Sequence, residues 1–274
     1  VFSNNLIYDV NNVEVKGQIN NSFTEKKLTE AAFQKAFISF TDKTLLREDA
    51  VSLYKTKPKI IKDLVLTYQI TTNKKDSKGE IFSIFNIKFD PKKVNNFLAE
   101  REISYADISN ISLTLLPVLI INKEIFLYDE NFFYKNWIKS KKTKLDTQKE
   151  LISFNLALEN AEDLEYINRI KDNLDSIDVK KIKSFYEESN HVLLLIYYTE
   201  DKFKAFIKTS INNKKIDRNI DLNIYSKNEN KSYEEAIIIL KKEINQIWKE
   251  QNLIDVRTPS FLDFFLELKK IDDY

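Results

Sequence analysis

The chain contains no cysteine, which excludes disulfides, thiol nucleophiles and thiolate metal sites. Its one histidine, His191, rules out a His pair or a Cys/His zinc site and obliges any Ser/His/acid triad to use that residue. Gly17 and Gly79 are the only glycines in 274 residues. Neither has the neighbours of a P-loop or a dinucleotide fingerprint, which need several glycines for backbone amides to approach phosphate. A nucleotide-dependent enzyme is therefore not expected. No apolar run is long enough to read as a membrane-spanning helix, and the first residues lack the basic, apolar, small-residue order of a secretory leader. The 43 basic and 42 acidic side chains leave a net charge of +1, so no global field draws the chain to nucleic acid or to an anionic membrane, and no nucleic-acid partner is expected. Methionine is absent and the sequence starts at Val1, which reads as a processed or trimmed piece of a longer product.

What is present is apolar and aromatic, at 43% and 12% of residues, the balance of a folded chain. The stretch His191-Val-Leu-Leu-Leu-Ile-Tyr-Tyr198 organises the rest. An unbroken apolar run of that length, bounded by polar residues, suits a strand covered on both faces. A helix capped by Asp178, with Val179, Ile182, Phe185 and Tyr186 on one side, is expected to lead into it. After it, Phe203, Ala205, Ile207 and Ile211 alternate with polar residues, as do Ile216, Ile220, Leu222 and Ile224. These read as half-solvated antiparallel strands joined by the polar turn at 212–215. A helix opened by a capping box of Ser232 and Glu235 should cover them with Tyr233, Ala236, Ile237, Leu240, Ile244, Ile247 and Trp248.

Upstream, Val13, Val15 and Ile19 give a first strand with one wet face. Ser22 and Glu25 stand at capping-box spacing before a helix with Leu28, Ala32, Phe33, Ala36, Phe37 and Phe40 in one stripe, read as core packing. Residues 64–72 and 81–89 read as a hairpin, Leu64, Leu66, Tyr68 and Ile70 lining one face of its first strand. Asp90-Pro91 opens a further helix, the Asp as cap and the Pro where no amide is missed. From Leu113 the order changes to strand, helix, strand, helix, strand, the second of these helices carrying Leu164, Ile167, Ile170, Leu174 and Ile177 on one face, and this order favours parallel pairing through crossovers. Pro117 lies inside the first of these strands and argues against a fully hydrogen-bonded position there. The fold class is thus α/β and α+β: an N-terminal α+β module (1–108), a mixed-sheet α/β module (109–256), and the first strand of a further, truncated module (257–274).

Candidate chemistry is thin. His191 stands at the mouth of the central strand and is read as structural. Carboxylates gather at Asp129-Glu130 and at Glu159, Glu162, Asp163 and Glu165. They raise the alternative of an enzyme using carboxylates, with or without a divalent metal, but their spacing fits no metal loop, and Glu162 and Asp163 suit a helix N-terminus. Lys135, Lys139, Lys141, Lys142, Lys144 and Lys149, close to Phe132, Phe133, Tyr134 and Trp137, form the one local basic and aromatic concentration. It is read as a solvated loop, with a weak anionic-polymer binder as the alternative. No catalytic, cofactor-binding or metal-ligating residue is assigned, and no cofactor is expected.

The Ala- and Phe-rich first helix, the junction at 84–98 around Asp90-Pro91, the strand at 115–120, the segment Leu156-Ala-Leu-Glu-Asn-Ala-Glu-Asp-Leu164 and the elements around His191 together resemble a family of Gram-negative proteins called domain of unknown function 2066. The second half is similar in layout to the small α/β domains at the N-terminus of the Tol-system propeller protein, in the curli secretion pore and in lipoproteins that activate peptidoglycan synthases. The resemblance implies an exported cell-envelope protein with no established activity, and the similar domains bind other proteins; the expectation is a non-enzymatic periplasmic binding or scaffold protein, its signal peptide removed. It carries over no functional residues.

Overall fold

In the computed structural model of the chain, residues 5–18, 25–75, 77, 80–106, 111–139, 152–186, 188–200, 202–226, 228–254 and 256 are described. The fold is α/β and α+β. Ser22, Ile19 and the strand expected at 260–268 lie outside the described residues.

The first half comprises β1 (Asp9–Gln18), α1 (Glu25–Thr44), α2 (Arg47–Leu53), α3 (Pro58–Leu64), β2 (Val65–Lys75), β3 (Glu80–Phe89) and α4 (Pro91–Ala99). The strands form an antiparallel sheet in the order β1-β3-β2. The stripe of α1 is buried as its spacing requires, and Ala32 and Ala36, fully covered, let the helix lie close over β1 and β3. The Phe37 and Phe40 rings meet Phe89 of β3 at 6.1 and 5.5 Å. At α4, one carboxylate oxygen of Asp90 accepts from the amides of Lys92 and Lys93.

Two features of this half depart from the sequence reading. The helices α2 and α3 were not foreseen, because each has only seven residues and buries only Ala50 and Leu53, or Ile61 and Leu64, too few to set a period. Leu64 accordingly ends α3, and the strand begins at Val65 with bulges at 65/67 and 70/72 that break the expected alternation.

The second half contains β4 (Tyr105–Ala106), β5 (Ile111–Ile121), β6 (Glu124–Phe126), α5 (Phe132–Asn136), β7 (Ile152–Leu156), α6 (Ala161–Arg169), β8 (His191–Thr199), β9 (Lys202–Ile211), β10 (Lys214–Leu222), α7 (Glu229–Gln251) and β11 (Leu253–Ile254). Its six-stranded sheet runs β10-β9-β8-β5-β6, with β7 also paired to β5. β8 is parallel to β5 and antiparallel to β9, so both its edges are used. Both faces are sealed as well. Val192, Leu194 and Ile196 pack with α5 and α7, Leu193 and Leu195 with α6 and the turns after it, and all five are fully buried.

Pro117 sits inside the sheet at a gap. β7 pairs with residues 111–115 of β5 and β6 with residues 119–121, so the missing amide falls where neither strand runs. The buried Asn131 fills that gap: its amide donates to the carbonyls of Pro117 at 2.9 Å and Phe126 at 3.1 Å, while its Oδ1 accepts from the amides of Phe133 and Tyr134 to cap α5.

Two expected helices take another form. α6 stops at Arg169, and the chain continues through short 3-10 turns, with Asn173 out of helical geometry, rather than through helices that would align Leu164 with Ile177 or Val179 with Tyr186. The buried carboxylate of Asp163 draws this segment back across α6 by accepting from the amides of Lys183 (2.5 Å) and Ser184 (3.0 Å). Leu174, Ile177, Ile182 and Phe185 are thereby buried, whereas Leu164 and Tyr186 are exposed and Asp178 caps only Lys180. At α7, the helix begins one turn before the expected capping box. Asn228 is the cap, the Ser232 hydroxyl donates to the Ser226 and Asn228 carbonyls, and Glu235 reaches back to the amides of Tyr225 and Ser226.

The long α7 ties the halves together. Glu243 pairs with Arg47 of α2 at 2.5 Å. Lys249, almost wholly buried, donates to the Asp42 carbonyl and, at 2.8 Å, to that of Leu45 where α1 ends. β11 then pairs with β4, and Val256 packs against the first core.

Candidate functional site

A groove of about 460 Å³ opens between the turns at 177–186 and the outer face of β9 and β10. Its position follows from the turn that joins those strands. Asn212 and Asn213 both take positive φ, 50° and 62°, which a two-residue hairpin needs and asparagine tolerates better than most residues. The turn fixes a register in which Lys208 faces Asp217 and Ser210 faces Lys215. Alternation turns Phe203, Ala205 and Ile207 inward to α7, so the other face of β9 carries Lys204, Phe206 and Lys208. The segment at 177–186 covers β8 and β5 but leaves this face open, and the step between covered and open sheet is the groove.

Inside it one ion pair joins β9 to β10. Lys208 Nζ lies 3.5 Å from Asp217 and 4.9 Å from the centre of the Phe206 ring. His191 forms one wall. Its ring stacks on Phe185 at 4.6 Å with only 15° between planes, and its Nδ1 is 3.2 Å from the Glu188 carbonyl. Burial holds the imidazole pKa below its ordinary value of 6.5; the Glu188 carbonyl opposes the shift and the Lys215 ammonium adds to it. The ring is thus neutral at neutral pH. The Thr209 hydroxyl, also in the lining, donates to the Ile216 carbonyl at 3.0 Å. The floor is apolar, from Ile182 and Phe185, and the rim carries Tyr186, Lys180 and Lys215. Such an arrangement offers a flat aromatic, an apolar floor and fixed charges of both signs, which suits holding a polar segment of another molecule.

The other candidate residues are placed elsewhere and used otherwise. Asp163 is spent on backbone amides, and Glu162 is exposed beside Lys183 at 3.7 Å. Among the described residues no three His, Asp or Glu side chains converge as a metal site would require. Phe133 and Trp137 have no exposed surface. They pack under α7, so they offer no stacking platform to a polymer. Lys141, Lys142, Lys144 and Lys149 lie outside the described residues. Sequence reasoning singled out His191 but missed Lys208 and Asp217. The alternation of β9 and β10 across a two-residue turn would have put them opposite each other, had the turn been taken as 212–213 rather than 212–215. Among the described residues no helix is long and apolar enough to cross a membrane. No family model, no curated protein and no solved structure matches the chain.

Proposed function

We propose that the chain is a non-enzymatic binding or scaffold protein of the cell envelope, exported to the periplasm, whose groove at His191 receives a polar segment of a protein partner. The observation that carries this reading is the pairing of the groove's functional groups with structural neighbours. His191 is stacked and bonded to a carbonyl, Lys208 is matched to Asp217, and Thr209 is bonded to Ile216. Groups held in this way recognise shape and charge. The resemblance to domain of unknown function 2066, and of the second half to adaptor-like α/β domains, supplies the compartment and the class of partner.

The test uses the full-length gene product in cells. The protein should fractionate with the periplasm, and cross-linking should capture a discrete protein partner. Lys208→Asp should abolish that capture, and Lys208→Asp combined with Asp217→Lys should restore it, because the pair would be re-formed with its ends exchanged. A cytoplasmic location, or specific turnover of a hydrolase substrate lost on His191→Gln, would overturn the reading.

A further inference from the structure

The margin of the first sheet carries a second surface, independent of the groove. β2 is a terminal strand in the order β1-β3-β2, so among the described residues no strand takes the backbone groups along its outer edge. It is long, from Val65 to Lys75, and exposed over nearly its whole length. Leu66, Tyr68 and Ile70 are 51%, 51% and 44% exposed, three large apolar side chains within five residues. Tyr68 and Ile70 stand opposite Ile87 and Phe85 of β3, on the face that α1 covers. The α1 helix reaches only as far as Tyr68, whose ring meets Phe33 edge-on at 5.1 Å. The result is a shelf with the sheet edge on one side and the flank of α1 behind it.

We infer that β2 accepts an extended segment of a partner protein by strand addition: a peptide with apolar residues at alternate positions and acidic residues at one end. The edge, unpaired among the described residues, supplies main-chain hydrogen bonds and the shelf takes alternate side chains. The only charged residues of β2 are Lys74 and Lys75, both exposed at its far end. That end of the edge therefore favours carboxylates. The same features select against a second copy of this chain. Two bulges twist the edge and lysines close it, the devices by which edge strands resist sheet-to-sheet pairing, whereas one narrow strand can follow the twist. The inference extends the reading of this chain as a binding protein but uses other residues.

The experiment titrates the protein into a fluorescein-labelled synthetic peptide of alternating leucine and threonine ending in two aspartates, followed by anisotropy and by amide hydrogen exchange. Saturable binding should slow exchange across residues 65–75. Ile70→Lys should weaken binding roughly tenfold, and Lys74→Glu with Lys75→Glu should weaken it for this peptide and strengthen it for one ending in two lysines. The substituted positions are exposed, so these variants keep the fold, verified by circular dichroism. Lys208→Asp should leave peptide binding unchanged, which separates failure at this edge from failure of the groove. Absence of saturable binding, or binding indifferent to Ile70→Lys and to the charge exchange, overturns the inference. So does a wild-type dimer in light scattering that Ile70→Lys converts to monomer.

Discussion

β2 and β9 are similar as sequence and opposite as structure. Both alternate apolar with polar residues, yet Phe203, Ala205, Ile207 and Ile211 of β9 are buried while Leu66, Tyr68 and Ile70 of β2 stand half in water. The difference is the cover. The α7 helix spans 23 residues and lies over β9 and β10, with Leu240, Ile244 and Ile247 buried against them. The α1 helix, at 20 residues, lies over β1 and β3 and reaches β2 only at Tyr68, through Phe33. Alternation marks which face of a strand is able to be buried, and the neighbouring helix decides whether it is. An apolar face left open at a sheet margin is then a candidate surface for another molecule.

The contrast can be broken most directly at the sealed centre. Leu194 is fully enclosed between two strands and beneath the helical layer. Leu194→Ala should cost about 3 kcal/mol in urea denaturation, from lost transfer energy and a cavity the packed layers cannot close. A loss below about 1 kcal/mol would mean that the centre is no better sealed than the margin.

Asn131→Ala probes the same sheet where its partners change. Removing the side chain leaves the Pro117 carbonyl unpaired in the core and α5 without a cap. The expected loss is about 2–4 kcal/mol. Asn131→Asp should be nearly as damaging, since it keeps the acceptor for the cap but loses the donor to Pro117.

Lys249 tests the seam between the two sheets. Burial lowers its pKa from the ordinary 10.5 to about 8, against the opposing pull of Asp42. The unfolded chain therefore holds this proton more tightly than the folded one. Its contribution to stability should rise as pH climbs from about 8 toward 10.5 and be absent below that window, a gain on the order of 2 kcal/mol between pH 8 and 10. Above pH 10 the trend reverses, because Tyr54 and Tyr128 are both pushed up to about 12 in the fold, so the unfolded phenols ionise first. Denaturant titrations at stepped pH on the wild type and on Lys249→Met should show the rise in the first and its loss in the second.

His191 should give a smaller signal of opposite origin. Its pKa is lowered by burial, so the unfolded ring protonates first, and the stabilisation present above pH 6.5 is lost as pH falls through the folded value. The single imidazole resonance allows a direct NMR titration, and a midpoint at or above 6.5 would contradict the packed position of the ring. The smallest effect belongs to the open margin. Ile70→Thr should change stability by no more than about 0.5 kcal/mol, because the position is already solvated.

Much of the fold was legible residue by residue. The run at 192–196 marked a strand enclosed on both faces, the stripe from Leu28 to Phe40 marked a helix, and Asp90-Pro91 marked a helix start. Each is a local signal in which neighbours in sequence are neighbours in space. The misreadings came where a distant partner decides. Residues 163–186 carry spacing that suits helices, but the carboxylate of Asp163 binds amides of residues 183 and 184 and folds the segment into 3-10 turns. The groove followed the same rule: His191 was noticed as a lone histidine, but Phe185, Lys208 and Asp217 reach it from three other elements.

By itself the sequence determined the central strand, the two long helices, the mixed α/β and α+β class and the absence of thiol chemistry, because periodicity and residue inventory are properties of short stretches. Only the tertiary structure decided which apolar faces are covered, how the gap at Pro117 is filled by Asn131, and that Lys249 is buried at the end of α1. Those outcomes depend on the lengths and placement of helices far away in the chain, and no local pattern encodes the distance between them.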